Sequence, residues 1–544
     1  MVTGRTTNYV GKVICPQSRP ATHSEVWIEV FKSDDIALRD YLLVESSRQQ
    51  VLGVVSDILV IEGQHCPPTQ ASPLRRSSRT TIAKIEIINA SDGRQRPPDG
   101  TVVRRPYPHE VTALLAEARQ IPDDQRVPFG VIPLPNGFAP TYVHLQRLVG
   151  PIATSALFTG AAGSNKSTAA MHLLMGIRKA TRGAAAFVIV NSKGADYLFA
   201  DYSRNIYASR FGFPTLTDRD IQIYQSLGYQ EPPTLSYPTV FVPNVTNVEW
   251  HSPRPLGFPR TKPYGLSYDA AIRYACDPTD DDERTASVIT IQCIEEAATV
   301  FAQEQGIFSV EELVIAMEAI FQTMLNDRAR WRNQYQSTTV AAAIRQLQTT
   351  VRDLGPILGG RGEAVSFPVE QLARGGTWVV DIATLNERAA QAVLAELVTE
   401  LVRAKARGVI PHALPLVLLA DELNRFNARG LTAQRLASIV RDARHRRFSL
   451  IGLAQQASTL NSQLLASVDL LSLGITRSRE AAHDFYDHLP KHIRNQLHRL
   501  PPGHRVLDVV PLTQALIVEL PYPSWLIADE GLAVVELWQS QRDR

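Results

Sequence analysis

The feature that most constrains this chain is a strand, a glycine-bearing turn and a helix that follow one another without a break. ATSALFTG (Ala153–Gly160) is a short apolar run, and STAAMHLLMGIRKATR (Ser167–Arg182) combines good helix formers with apolar residues spaced near 3.6. AAFVIVNSKG (Ala185–Gly194) then reads as a second strand buried on both faces. Strand, helix and strand in this order predict a β-α-β unit and hence a parallel sheet. TWVVDIA (Thr377–Ala383), LPLVLLADE (Leu414–Glu422), SLIGLAQQ (Ser449–Gln456) and LLSLGIT (Leu470–Thr476) supply further strands, most of them separated by helical stretches. The expected sheet is therefore assembled from distant pieces of chain.

The turn itself is Gly160-Ala161-Ala162-Gly163-Ser164-Asn165-Lys166-Ser167, with Thr168 next. A phosphate-binding loop needs a compact turn with inward backbone N–H groups, a lysine that reaches the terminal phosphates and a hydroxyl that ligates magnesium. Gly160 to Thr168 provide all three and form the candidate nucleotide-binding set, with Ser167 as a metal ligand. One departure is Asn165, where a glycine usually precedes the lysine. Asparagine tolerates positive φ better than most residues, so the turn can survive, although its side chain adds bulk near the phosphates. The bare pattern is common, and an ordinary strand-turn-helix with an exposed lysine is its alternative. The strand before it and the helix after it are what give it weight.

LPLVLLADEL ends an apolar strand in Asp421-Glu422. In P-loop ATPases an acidic residue at such a tip holds magnesium, and a glutamate after it can polarise the attacking water. The plain alternative is a pair of carboxylates opening the next helix, ELNRFNARG, where they suit the dipole. SLIGLAQQAS ends another strand in Gln455, whose amide both donates and accepts and can sense a γ-phosphate or place a water. A surface glutamine at a strand end is the alternative there. RDARHRR, Arg441 to Arg447, offers five arginine or histidine side chains in seven positions. Such a cluster suits an arginine finger from a neighbouring subunit, DNA phosphates, or a solvated helix end.

Composition restricts the partners. The 544 residues suggest three or four domains, and 44% hydrophobic against 20% charged residues provide a sizeable core. Fifty-six basic against 54 acidic residues leave a formal charge of +2, which excludes a polycation, so any nucleic-acid contact comes from a local patch. DPTDDDE (Asp277–Glu283), RARWR (Arg328–Arg332) and Arg75, Arg76 and Arg79 read chiefly as solvated charge. Cys15, Cys66, Cys276 and Cys293 lie far apart, without metal-ligand spacing, as expected of reduced thiols. Polar Met1–Val10 lacks the apolar region of a secretory signal and no apolar run approaches a membrane span, so a cytoplasmic location is expected.

From Tyr9 to about Tyr107, VGKVIC, EVWIEVF, YLLVES, VLGVVSDILVIE and IAKIEIIN are short Val- and Ile-rich strands that suggest a small barrel. A proline-punctuated stretch from Ile121 to Gly150 reads as a connector. ASVITIQCIEEAATVFAQ and VEELVIAMEAIFQTML carry amphipathic helical spacing.

FTGAAGSNKS, VIVNSKGADYLF (Val188–Phe199), LLADE and RDARHRRFSLIGLAQQAS, in this order, resemble the HerA branch of the HerA/FtsK ATPases. VGKVICPQSRPATHSEVWIEV is similar to the barrel that precedes the motor domain in HerA proteins, and PPGHRVLDVVPLTQALIVELPYPSW to their closing strands. The resemblance implies a homo-hexameric, ATP- and Mg2+-dependent motor on double-stranded DNA threaded through its ring. It further implies a partner such as a NurA-like nuclease or a sirtuin-type effector, and a link to phage defence or DNA end processing. By motif match, Lys166, Ser167, Asp421, Glu422 and Gln455 take the ATP-site roles, and Arg441 or Arg444 is the trans arginine. AQQAS stands where many relatives have TQRPS.

The expected fold is thus α/β, a RecA-like P-loop core with an N-terminal small β-barrel and a helical insertion. Its expected parts are a barrel over 1–108, a connector over 109–150, core over 151–281, helical insertion over 282–370, core over 371–510, and closing strands and tail over 511–544. Two rival functions stay open: a nucleotide-binding hexameric scaffold that organises an effector with little translocation, and a monomeric P-loop kinase or GTPase.

Overall fold

A computed structural model describes residues 9–14, 25–32, 36–45, 50–62, 79–90, 97–150, 155–245, 248–267, 274, 289–297, 310–326, 335–358, 367–426, 435–437, 439, 444–509 and 515–542. They belong to two compact units. The first takes its residues from 1–144, 219–231 and 470–521, the second from 145–218, 232–469 and 522–544. The DPTDDDE and RARWR runs, with Arg75 and Arg76, lie outside the described residues. Among the described residues no helix is long and apolar enough to cross a membrane.

The first unit opens with a closed six-stranded barrel. Its strands are β1 (Tyr9–Ile14), β2 (Glu25–Val30), β3 (Tyr41–Glu45), β4 (Gln50–Glu62), β5 (Arg79–Ala90) and β6 (Val102–Arg104), in the order β1-β2-β5-β4-β3-β6. Every neighbouring pair is antiparallel. Alternation drives Val13, Val26, Ile28, Leu42, Ile85 and Val103 into one core. Closure leaves no sheet edge to pair with another chain. The long strand β4 bends at register shifts near Gly53, where a Cβ would stand 2.8 Å from the Glu86 carbonyl, so only glycine lets the backbones approach. Arg104 then ties the barrel wall to helix α1 (Pro108–Ala118) through Glu45 at 2.8 Å and Glu110 at 2.7 Å.

The stretch from 109 to 150 is not the expected connector. It carries α1 and a hairpin of β7 (Arg126–Leu134) and β8 (Gly137–His144), closed by the two-residue turn Pro135-Asn136. Its prolines suggested a linker, but Pro140 sits on the edge strand and Pro128 at a bulge, the two places where a sheet tolerates a missing N–H.

The second unit holds the parallel sheet. Its elements are β9 (Ser155–Thr159), α2 (Lys166–Ala180), β10 (Ala186–Asn191), β11 (Thr239–Pro243), β12 (Thr261–Tyr264), α3 (Val310–Asn326), α4 (Ser337–Leu354), β13 (Gly376–Asp381), α5 (Glu387–Ala406), β14 (Leu416–Ala420) and β15 (Phe448–Ala454). The strand order is β12-β11-β13-β10-β14-β15-β9, every pair parallel. Each residue of β9, β10, β14 and β15 is buried, as strands covered on both faces require. The short, proline-containing β11 and β12 carry too little pattern to be read from sequence. Helices α3 and α4, with the helical residues 289–297, are described parts of the expected helical insertion.

Leu470–Thr476 was expected in the parallel core, and here the reading is corrected. β16 (Val468–Leu473) pairs antiparallel with β17 (His504–Val509), which pairs antiparallel with β18 (Leu516–Glu519), and β18 with β7. Leu470–Pro521 therefore groups with the barrel and the hairpin. The expected tail is a helix, α6 (Ala528–Arg542).

Candidate functional site

Parallel strands place their following loops at one edge of the sheet, so the segments after β9, β10, β14 and β15 converge there. The loop after β9 turns through three residues of positive φ: Gly160 at 140°, Gly163 at 76° and Asn165 at 57°. Asn165, exposed and in left-handed conformation, directly precedes the first residue of α2 and makes no side-chain cap bond. The tolerance expected of asparagine is realised in the backbone, and its side chain points away from the packed interior. The first turn of a helix leaves N–H groups without intrahelical acceptors. Here that turn and the residues before it, Ala162 to Thr168, line one cavity.

The same cavity is lined by Asp421, Glu422 and Gln455. Two stretches of chain about 250 positions apart thus meet at one site. Lys166 folds over its own loop, its ammonium donating to the Gly160 and Ala161 carbonyls at 2.8 and 3.0 Å. The Ser167 hydroxyl donates to Asp196 Oδ2 at 3.2 Å. Asp421 is nearly buried, and burial pushes its carboxyl up to about 6; the Asp196 and Glu422 charges add to the rise, while the Glu422 N–H and the Lys166 charge oppose it. The Glu422 N–H bonds Asp421 Oδ1 at 2.8 Å.

Glu422 has φ 48°, an uncommon conformation for a glutamate, and it turns the chain off the strand into a single turn, Leu423–Arg425. That turn replaces the start of the helix expected in ELNRFNARG, and Asn427 onward to residue 434 lies outside the described residues. Leu423 packs so closely on β15 that a Cβ on Gly452 would lie 2.6 Å from it. The Glu422 carboxylate faces Lys193 at 3.5 Å and Arg425 at 3.8 Å. Gln455, exposed at the tip of β15, is fixed through its backbone N–H, which donates to Asn424 Oδ1 at 2.9 Å. Of the two candidate trans arginines, Arg441 lies outside the described residues, and Arg444 opens a single turn just before β15.

Eight further residues line the cavity, among them Leu453 and Ala454 at the end of β15. Lys193, Asp196 and Tyr197 follow β10 in NSKGADY, and polar residues just past a buried strand were the available signal. Met171, Trp525 and Ile527 form an apolar wall. Trp525 meets the His172 ring edge-on at 5.2 Å. Its segment is anchored by the buried Arg204, which donates to the Pro523 and Trp525 carbonyls at 2.8 and 3.2 Å and to Glu530 at 2.7 Å. No local pattern could have announced this long-range contact.

No family model matches the chain, and no curated protein does. Among solved structures, the bacterial conjugative coupling protein TrwBdeltaN70 in its unbound monoclinic form shares 14% identity at a TM-score of 0.45, over 72% of this chain and 88% of that one. VirB4 of Thermoanaerobacter pseudethanolicus shares 14% at 0.45, over 74% and 97%. The genome packaging NTPase B204 from Sulfolobus turreted icosahedral virus 2, in complex with ATP-gammaS, shares 10% at 0.27, over 68% and 98%. Likenesses this distant assign neither a family nor an activity, and the site rests on its own geometry.

Proposed function

We propose that this protein is an ATPase of the HerA/FtsK type, a ring-forming homo-hexamer that moves double-stranded DNA for an effector enzyme such as a nuclease. The observation that carries the reading is the convergence of the Gly160–Thr168 loop with Asp421 and Glu422 on one cavity. The cavity gathers loop N–H groups, an ammonium and carboxylates, the groups that a nucleotide and its metal require. Its donor set also fits magnesium: a hydroxyl and carboxylates, without thiol or imidazole, suit a hard cation. Among the described residues no group of three or more His, Cys, Asp or Glu side chains is arranged to hold a metal. Magnesium bound with phosphates needs only one or two protein oxygens, which Ser167 and Asp421 provide.

In this reading magnesium, when bound, neutralises charge on the phosphates. The loop N–H groups cradle those phosphates, and the Lys166 ammonium swings from the Gly160 and Ala161 carbonyls to the terminal ones. Glu422, which lines the cavity, takes a proton from the attacking water. Gln455 holds that water or the γ-phosphate. An arginine of the Arg441–Arg447 segment, reaching a neighbouring subunit's site, completes it and makes turnover depend on the ring.

The test is ATP turnover by the full-length protein, with and without duplex DNA. Lys166→Ala abolishes turnover; Glu422→Gln keeps nucleotide binding and loses about 100-fold or more in rate. Normal turnover in Glu422→Gln removes Glu422 from the mechanism. Turnover indifferent to DNA favours the scaffold over the motor, and a monomer by light scattering dismisses the ring.

A further inference from the structure

The loop after β10 brings to the cavity a carboxylate that the phosphate-loop pattern does not require. Asp196 lines the cavity and accepts the Ser167 hydroxyl at 3.2 Å. A serine hydroxyl has one hydrogen and two lone pairs, and it ligates a cation only through the lone pairs. Left to rotate, it can spend its hydrogen on a phosphate oxygen and turn the lone pairs away. With the hydrogen committed to Asp196, the lone pairs remain for the metal. Asp421, the other carboxylate beside the loop, has Oδ1 engaged by the Glu422 N–H.

We propose that Asp196 is a positioning residue for the divalent cation: it fixes the Ser167 hydroxyl as a metal ligand without ligating the metal itself. The proposal rests on the reading of this cavity as a nucleotide-magnesium site. It divides the acidic groups by role. Asp421 faces the cation, Glu422 the water, and Asp196 the serine. Partners of this kind orient a ligand and set its basicity, and their loss costs about 10- to 100-fold in metal affinity. Asp196 also places negative charge near the phosphates, so its removal leaves metal-free nucleotide binding unchanged or tighter. The loss is thus confined to the metal-bound state, which separates positioning from a general structural role.

The experiment titrates the full-length protein with a fluorescent non-hydrolysable ATP analogue, once in magnesium and once in EDTA. Wild type binds more tightly in magnesium. Asp196→Ala loses about tenfold or more in magnesium and nothing in EDTA. Asp196→Asn, which keeps an oxygen acceptor for the Ser167 hydroxyl, recovers part of the loss. Asp196→Ala affinity equal to wild type in magnesium overturns the assignment, as does an equal loss in both buffers, which marks a structural role. Wild type that binds the analogue in neither buffer overturns the nucleotide-site reading and this assignment with it, so the two failures are told apart.

Discussion

Asn165 tests the loop's backbone preference because its side chain, although it lines the cavity, is exposed and makes no cap bond. Its φ of 57° and ψ of 34° lie in the left-handed region, which costs an ordinary L-residue about 1–2 kcal/mol and asparagine less. The loop holds this conformation together with Gly160 and Gly163, and only in that form do Ala162 to Thr168 line the cavity. Valine at 165 should therefore shift the loop away from its binding form by about 1–2 kcal/mol, or roughly 5- to 30-fold in nucleotide affinity at ~1.4 kcal/mol per decade. Glycine relieves the strain but adds unfolded-state freedom, so Asn165→Gly should stay within about threefold of wild type and within ~1 kcal/mol in stability. Titration with a fluorescent nucleotide, alongside thermal unfolding, measures both. If Asn165→Val binds as tightly as wild type, the left-handed residue does not shape the site and the reasoning fails.

The raised Asp421 carboxyl predicts a pH signature in metal-free, nucleotide-free protein. Its folded pKa of about 6 exceeds the unfolded value near 4, so the folded state holds the proton more firmly and gains stability as pH falls from 6 towards 4. Asp421→Asn should be more stable than wild type by about 2–3 kcal/mol at pH 7, with the gain vanishing near pH 4; equal gains at both pH values in urea unfolding would contradict this. Arg204→Met, which strands Glu530 and the Pro214, Pro523 and Trp525 carbonyls, should cost about 3–5 kcal/mol, and Arg204→Met with Glu530→Met should recover much of it. A cost below ~1 kcal/mol for the single variant would show that the buried pair does not anchor the segment carrying Trp525.

Local pattern carried the barrel and the phosphate loop into view. Val- and Ile-rich alternation revealed the strands, and apolar spacing of 3.6 after Lys166 revealed α2, because both periodicities are set within a few residues. Prolines misled where context overrules them, as in the β7–β8 hairpin, where edge and bulge positions absorb the missing N–H. The helix expected after Glu422 gives way to a single turn because Glu422 itself is left-handed. At the site, Lys166 and Ser167 were legible from the glycine-bearing turn that opens α2, and Asp421, Glu422 and Gln455 as residues at strand tips. Asp196 follows a buried strand but belongs to no phosphate-loop pattern, and Trp525 and Ile527 come to the cavity by packing between segments hundreds of positions apart.

The order of the parallel sheet bears on how a nascent chain acquires its cavity. β9, the strand that launches the phosphate loop, takes its parallel partner from far along the chain, in β15, Phe448–Ala454. Until the ribosome has released that later segment, the loop hangs from a strand without its parallel neighbour, while β14, which leads into Asp421, can already pair with β10. Contacts of such long sequence separation form slowly. Any fragment that stops short of residue 448 should carry the whole glycine-lysine signature and yet be blind to nucleotide.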